Sequence, residues 1–371
     1  MKKIIKRSLF LIFLIALSVS LLSTSDALAE DWDQILEAAE EEGEVTIYAT
    51  TSRVYDMAEN FEEAYENISV DPHRLPEAEL IERITAEVTA EVSGADVVII
   101  EDLATMEIML MEPGYLTNYV PPSAQEAVDE EYHDPLVLGF VNRIFGYNTE
   151  VHHEEPISNI WEFTDEEWAA GFQFRDPEIT GEHLNFFSEI VRRSDEMEEK
   201  YEELYGEPLE IREDNAGLEF IRRLAANDPV ILDSDTAIFE NVGTRGQENP
   251  PLGFTYVFSK HREIEPLNLA VDYMRNIEPT LGYYYGMYVQ QVDTADNPNA
   301  AKVLTDFMLS EEGFQPWAED VGVYSMNENI DFHPLDRPWE YWQDRLWTYD
   351  PGFAAEQRSR ITEAWRRGME D

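Results

Sequence analysis

Short apolar strands alternate with amphipathic helices along the first third of the chain. The predicted elements are a strand at 45–49, a helix at 53–67, a strand at 68–75, a helix that begins at Pro76 and a strand at 95–100. This alternation predicts a parallel sheet with helices on both faces. Ligands bind outside the carboxyl ends of such strands, so we expect a site near residues 50–53 and near Glu101 and Asp102.

The same pattern continues through the rest of the chain, and the length of 371 residues favours two domain-sized cores. Further strands are predicted at 141–147, 171–175, 229–232, 252–258 and 283–292, and helices at 184–192, 235–242 and 297–309. The acidic run at 196–203 is typical of a solvated helix face. The tryptophans of the C-terminal region predict closing helices that pack on the body, in preference to a carbohydrate platform.

The first 29 residues have the composition of a secretory signal peptide. Four basic residues precede an apolar run at 9–22, and a small-residue cleavage signal ends at Ala29. The run is shorter than the ~20 residues of a membrane span. We expect export to the periplasm with cleavage after Ala29, and no lipoprotein, because the chain has no cysteine to carry a lipid.

The chain is strongly acidic, with 78 Asp and Glu against 26 Lys and Arg. Without the leader, 22 basic and 77 acidic residues remain, and the lysines are Lys200, Lys260 and Lys302. An acidic surface that prefers Arg to Lys stays hydrated in concentrated salt, so we predict a halophilic protein; a calcium-loaded surface or a simple acidic bias is the alternative. The same charge makes nucleic acid a poor partner, because its phosphates bind Lys and Arg.

Sequence motifs of common enzymes are missing. The chain has no phosphate-binding loop, no G-x-S-x-G elbow and no H-E-x-x-H, and the absence of cysteine excludes thiolate chemistry. His152 and His153 precede two glutamates, but a polar loop before Pro156 explains this cluster better than a metal site. We therefore predict no enzyme, no cofactor and no bound metal.

Hydroxyl side chains and arginines lie near several predicted strand ends. Thr51 and Ser52, with Thr50, stand at a helix start, where free N–H groups bind anions; an ordinary helix cap explains these residues equally well. Similar starts occur at Thr180-Gly181 and Ser234-Asp235-Thr236. Arginines near strand ends are Arg53, Arg143, Arg175 and Arg245, and each either binds an oxyanion or forms a structural ion pair.

Several segments resemble the periplasmic solute-binding proteins of ABC importers, most closely their ferric-ion-binding branch. The matching segments are EVTIY at 44–48, GADVVIIE at 94–101, GYL at 114–116, NR at 142–143 before GYN at 146–148, WEFTD at 161–165, DP and TG at 176–181, NPNAAK at 297–302 and FMLSEEGF at 307–314. Together they cover roughly residues 43 to 330 in the family's order. The resemblance implies an α/β fold of the type 2 periplasmic-binding-protein class, with two lobes, hinge strands and a ligand cleft between the lobes.

By the same resemblance, residues 30–139 and 271–316 form lobe 1, and residues 140–270 and 317–371 form lobe 2. The partners it implies are a small-molecule or ion ligand and the membrane permease, and we expect a monomer. The ligand-binding residues that we predict are Thr51, Ser52, Arg53, Glu101, Arg143, Thr180, Gly181, Asp235, Thr236 and Tyr284.

The ligand itself is open between several classes. Ferric binders use a pair of adjacent tyrosines, which should fall at 256–259, where the chain reads Tyr-Val-Phe-Ser; Glu101 with Tyr283 and Tyr284 would be the substitute iron ligands. Hydroxyl-rich helix starts and arginines favour an oxyanion-bearing solute, such as an organic phosphate, phosphonate or carboxylate. A polyamine ligand, a sensor role and a secreted hydrolase are further alternatives.

Overall fold

A computed structural model describes residues 32–92, 94–179, 181–255, 264–334 and 336–371, apart from the side chains of residues 255 and 319–321. The predicted signal peptide lies outside these residues. The described helices are α1 Trp32–Glu42, α2 Arg53–Ala64, α3 Glu77–Thr89, α4 Leu103–Met106, α5 Pro122–Ala127, α6 Gly181–Arg192, α7 Ser194–Tyr205, α8 Ala216–Ala226, α9 Asp235–Gly243, α10 Pro298–Met308, α11 Glu311–Val321, α12 Trp339–Gln343 and α13 Pro351–Glu370.

The described strands are β1 Glu44–Ala49, β2 Ser69–Arg74, β3 Val97–Ile100, β4 Leu116–Thr117, β5 Val137–Asn148, β6 Phe172–Arg175, β7 Val230–Leu232, β8 Leu252–Thr255, β9 Val271–Tyr273, β10 Gly282–Val292 and β11 Tyr324–Ser325. They form one sheet in the order β2-β1-β3-β10-β5-β8-β6-β7, and the short strands β4, β9 and β11 pair with β10 or β5.

The sheet is mixed, which corrects the expectation of a parallel sheet. Strand β1 is parallel to β2 and β3, and β6 is parallel to β7 and β8. Between these two groups, β10 runs antiparallel to both β3 and β5. The long strands β5 and β10 are reached by long excursions of the chain, so the alternation of neighbouring elements carries no information about their direction.

The glycine at the start of β10 allows a close approach between these two central strands. Gly282 has φ +143°, and a Cβ atom at this position would collide with the carbonyl oxygen of Arg143 on β5. Glycine tolerates this backbone conformation because it has no Cβ.

Apolar packing secures both ends of the sheet. At the β1 end, Ile47, Val54 and Phe61 are fully buried. At the β6 end, Phe145 stacks on Phe254 with ring centroids 4.6 Å apart, and other phenylalanines continue this cluster.

The C-terminal region closes over the body as predicted. Trp342 on α12 and Trp365 on α13 are buried, Trp339 stacks on Phe140 at 5.0 Å, and α13 packs along α6 and α8. Trp347 is buried as well, but it lies between the helices and bridges to Tyr283. In the part of the chain that the structure describes, no helix is both long and apolar enough to cross a membrane.

Candidate ligand-binding cleft

A cavity of about 320 Å³ lies between the carboxyl ends of the two parallel strand groups. One edge is formed by the ends of β1, β2 and β3, and the other by the ends of β6 and β7. The predicted site residues that line this cavity are Thr51, Ser52, Arg53, Glu101, Asp235 and Thr236. Residues from both ends of the sheet therefore meet in one cleft.

Parallel register brings the ends of β1, β2 and β3 to the same level. Ala49 pairs with Arg74 on one side and with Ile99 on the other, so the residues that follow Ala49 lie between Arg74 and Glu101. Ser52 precedes α2, but its side chain makes no capping hydrogen bond to that helix. An ordinary helix cap therefore does not explain Ser52.

The other hydroxyl and the arginine of this turn have contacts within it. The Thr51 Oγ1 accepts a hydrogen bond from the Arg53 backbone N–H at 3.2 Å. The Arg53 Nη1 donates to Asp56 at 3.0 Å, in an ion pair whose carboxylate is half exposed.

Glu101 enters the cleft from the end of β3. The carboxylate of Glu77 accepts the backbone N–H groups of Glu101 at 3.1 Å and of Asp102 at 2.6 Å, which fixes this turn. Burial raises the pKa of Glu101 to about 7, and the negative charges of Glu182 and Asp235 add to this effect, while Arg143 and Arg175 oppose it. Glu101 is thus a carboxyl group that titrates near neutral pH.

The opposite edge carries a network of ion pairs. Arg175 ends β6 beside Leu232 of β7, and Asp235 follows three residues after Leu232 as the first residue of α9. Asp235 accepts hydrogen bonds from Arg175 at 3.2 Å and from Arg143 at 2.6 Å. Ser234 caps α9 by accepting the N–H of Ala237 at 3.3 Å, so at this helix start the capping interpretation applies.

Arg143, one of the predicted ligand-binding residues, lies beneath this edge. The residue is in the middle of β5, and its side chain is fully buried. Its guanidinium pairs with Asp235 and, at 2.9 Å, with Glu182 on α6. The carboxylates of Asp235 and Glu182 thus neutralise Arg143, the arginine that the sequence suggested as a binding group for an oxyanion.

His183 next to this network is a packed, neutral side chain. Burial, together with the positive charges of Arg143 and Arg175, lowers the pKa of His183 well below its usual value. Its ring stacks on Phe174 at 4.3 Å between centroids.

Gly181 and Thr180 belong to the predicted second anion cradle. Thr180 lies outside the described residues. Gly181 begins α6 and faces the Asp102 carboxylate so closely that a Cβ would collide with it. Asp102 also accepts hydrogen bonds from Asn185 at 2.9 Å and from Arg358 at 2.7 Å. This turn therefore joins the end of β3 to α6 and α13.

The tyrosines proposed as substitute iron ligands do not converge on Glu101. Successive residues of a strand point to opposite faces of the sheet. Tyr283 stacks on Phe186 with centroids 4.9 Å apart, whereas Tyr284 packs against Phe140 and Trp339 on the other face. The structure therefore places Tyr284 among the aromatic side chains of one face and does not bring Glu101, Tyr283 and Tyr284 together. The expected position of the tyrosine pair, 256–259, lies outside the described residues.

Among the residues that the structure describes, no group of three or more His, Asp or Glu side chains is placed to hold a metal ion. The cleft also contains residues that the predicted site omitted, namely Thr50, Arg74, Val141, Arg175, Asp233, Ser234, Met287, Trp317 and Val323. Arg74 could have been predicted from the expectation that ligands bind at the carboxyl ends of the strands, because it ends β2 next to the turn after β1. Trp317 carries no such signal, since it comes from a helix far along the chain.

Solved structures of similar fold are periplasmic binding proteins. Iron-bound HitA from Pseudomonas aeruginosa has a TM-score of 0.67 and 17% identity, with 88% of this chain and 99% of that chain covered. AfuA from Actinobacillus pleuropneumoniae, solved with fructose-6-phosphate, has a TM-score of 0.65 and 19% identity over 88% and 99%. Apo ferric ion-binding protein A from Pasteurella haemolytica has 0.68 and 15% over 89% and 99%.

The chain has the two-lobe fold of type 2 periplasmic binding proteins. No family model and no curated protein matches the sequence. The predicted fold class is confirmed, because each of these structures aligns with this chain over nearly its whole length.

Proposed function

We propose that the protein is the exported solute-binding component of an ABC importer, which captures a small solute between its lobes and delivers it to a membrane permease. The observation that carries this proposal is the cavity between the carboxyl ends of two strand groups, in a fold shared with periplasmic binding proteins. The protein would act as a monomer in the periplasm, with its leader removed after Ala29, and nucleic acid would not be a partner.

For the two lobes we propose the predicted segments with one adjustment. The boundary predicted between residues 316 and 317 falls inside α11, which packs on α2 near the β1 end. Asn60 on α2 donates to the carbonyl oxygen of Glu312 at 3.0 Å. We therefore assign all of α11 to lobe 1, with 30–139 and 271–316, and keep 140–270 and the C-terminal helices in lobe 2.

The solute that the cleft fits best carries an oxyanion, as an organic phosphate, phosphonate or carboxylate does. Arginines and hydroxyl groups line the edge around α2, where the helix N-terminus favours negative charge. AfuA, which shares the fold, was solved with a sugar phosphate. Ferric iron is the less suited ligand here, although HitA was solved with bound iron, because Tyr283 and Tyr284 pack on opposite faces of the sheet and do not converge on Glu101.

Native mass spectrometry of the mature protein, purified from its host without denaturation, tests this proposal. An added mass equal to one organic anion is expected. Ser52→Trp should remove it, because Ser52 is exposed within the cleft and the indole would fill it. Ser359→Trp is the matched control, since Ser359 is exposed on α13 and outside the cleft.

Two results would contradict the proposed ligand or role. If the added mass were iron with an anion, the solute would be a metal ion and not an organic oxyanion. Multiple turnover of a candidate solute, in place of stoichiometric binding, would indicate a hydrolase.

We also propose that the acidic surface adapts the protein to brine. With 77 acids against 22 basic residues after the leader, self-repulsion is strong in dilute buffer and screened in molar salt. The thermal midpoint should therefore rise steeply between low salt and molar KCl, and much less in sucrose. A thermal midpoint that does not respond to KCl would contradict the proposed adaptation to brine.

A further inference from the structure

Nearly all arginines of the described chain lie within 4.0 Å of a carboxylate, as the excess of acid predicts. Arg74, Arg337 and Arg345 are the exceptions among the described arginines. Of these three, Arg74 alone lines the cleft, and its side chain is exposed there. In so acidic a chain, an arginine in a cleft with no carboxylate partner among the described residues is a cation available to a ligand.

Two neutral donors of the same cleft also have no hydrogen-bond partner among the described residues. The indole of Trp317 is 1% exposed and lines the cleft, and its Nε1–H has no acceptor. Thr50, at the end of β1, also lines the cleft, and its buried Oγ1 likewise has no partner. An unsatisfied buried donor is unfavourable, and an indole N–H can bond only to an acceptor.

The remaining arginines of the cleft are already engaged by the protein. Arg53 pairs with Asp56, and Arg175 pairs with Asp235. On the β7 side, the carboxylates of Asp233 and Asp235 line the cleft. An anionic group is therefore attracted to Arg74 and repelled by Asp233 and Asp235 on the β7 side.

We propose that Arg74, together with the Trp317 Nε1–H and the Thr50 hydroxyl, holds the anionic group of the solute. The uncharged part of the solute then faces Asp235 and Thr236, whose oxygens accept hydrogen bonds from hydroxyl groups. This assignment rests on the proposed binding function and deepens it. The anion would thus bind to Arg74, at the end of β2, and not to Arg143, as the sequence predicted.

Calorimetric titration in molar salt with a fixed set of anions tests the assignment. The set contains inorganic phosphate, fructose 6-phosphate, a phosphonate and citrate, and the tightest binder serves as the probe. Arg74→Ala should weaken its binding about tenfold or more, and Arg74→Lys should recover part of the loss. Trp317→Phe, which removes the N–H and keeps an aromatic ring, should weaken binding about three- to tenfold.

Arg345→Ala is the matched control, because Arg345 is also exposed and has no carboxylate partner among the described residues, yet lies outside the cleft. Its affinity should stay within about twofold of the wild type. If the wild type binds the probe and Arg74→Ala binds it equally well, the assignment is wrong while the binding function stands. If the wild type binds none of these anions, the oxyanion proposal fails, and the assignment fails with it.

Discussion

The two edges of the cleft differ in how their polar groups are satisfied. At the β6 and β7 edge, Asp235 is held by Arg143 and Arg175, and Ser234 caps α9. At the β1 to β3 edge, Arg74 has no carboxylate within ion-pair distance among the described residues, and Ser52 makes no capping bond. The polar groups of the β6 and β7 edge are already bound within the protein, whereas the β1 to β3 edge presents groups that a solute can bind. Substitutions at the two edges should therefore change different quantities, stability at one and affinity at the other.

The largest effect is expected from Arg143→Ala. The substitution leaves the carboxylates of Glu182 and Asp235 without their buried cation, and losing one partner of a buried ion pair costs about 3–5 kcal/mol. Urea unfolding of the ligand-free protein should show this loss, while Arg337→Ala, on an exposed arginine, should change stability little. An Arg143→Ala protein with unchanged stability but weakened solute binding would show that Arg143 serves the ligand and would erase the contrast between the edges.

A smaller loss is expected where the two edges are joined, at Asp102. Arg358→Ala removes the charged donor from a carboxylate that is almost fully buried, which should lower the free energy of unfolding by about 1–3 kcal/mol. Arg360→Ala provides the control two residues along α13, because its partner Asp214 is exposed and such pairs contribute about 0–1 kcal/mol. Equal effects of the two substitutions would mean that the Asp102 contact contributes no more than a surface pair.

The smallest effect should come from pH, through Glu101. Its pKa of about 7 means that the carboxyl group is mostly neutral below that pH and mostly charged above it. A charged Glu101 repels an anion, so the affinity for an anion of constant charge should fall severalfold as pH rises from about 6 to about 8. Sulfate or a sulfonate is a suitable probe, because neither titrates in this range.

Glu101→Gln should bind the same anion with no pH dependence over this interval. The opposite trend in the wild type, with binding that strengthens as pH rises, would indicate a cationic ligand that needs the carboxylate. That result would make Glu101, and not Arg74, the ligand-binding group of the β1 to β3 edge.

Several elements were predictable because their signals are local. The helix predicted at 53–67 is present as Arg53–Ala64, and the strand predicted at 283–292 as Gly282–Val292. Six of the predicted cleft residues do line one cavity, because each follows a strand end in the chain. The ion pair of Arg143 with Asp235 was not predictable, because the sequence neighbours of Arg143 say nothing about a carboxylate 92 positions away.

By itself, the sequence determined the order of strands and helices, the class of fold and the acidity of the surface. The elements and the acidity follow from hydrophobic periodicity and composition, and the class of fold follows from the resemblance of short segments to periplasmic solute-binding proteins. The tertiary structure alone decided which arginines are neutralised and which face the cleft, because ion pairing depends on distances between residues that are remote in the chain. Arg143 and Arg74 look equally suited to an oxyanion in the sequence, and their burial and partners separate a structural cation from one that a solute can reach.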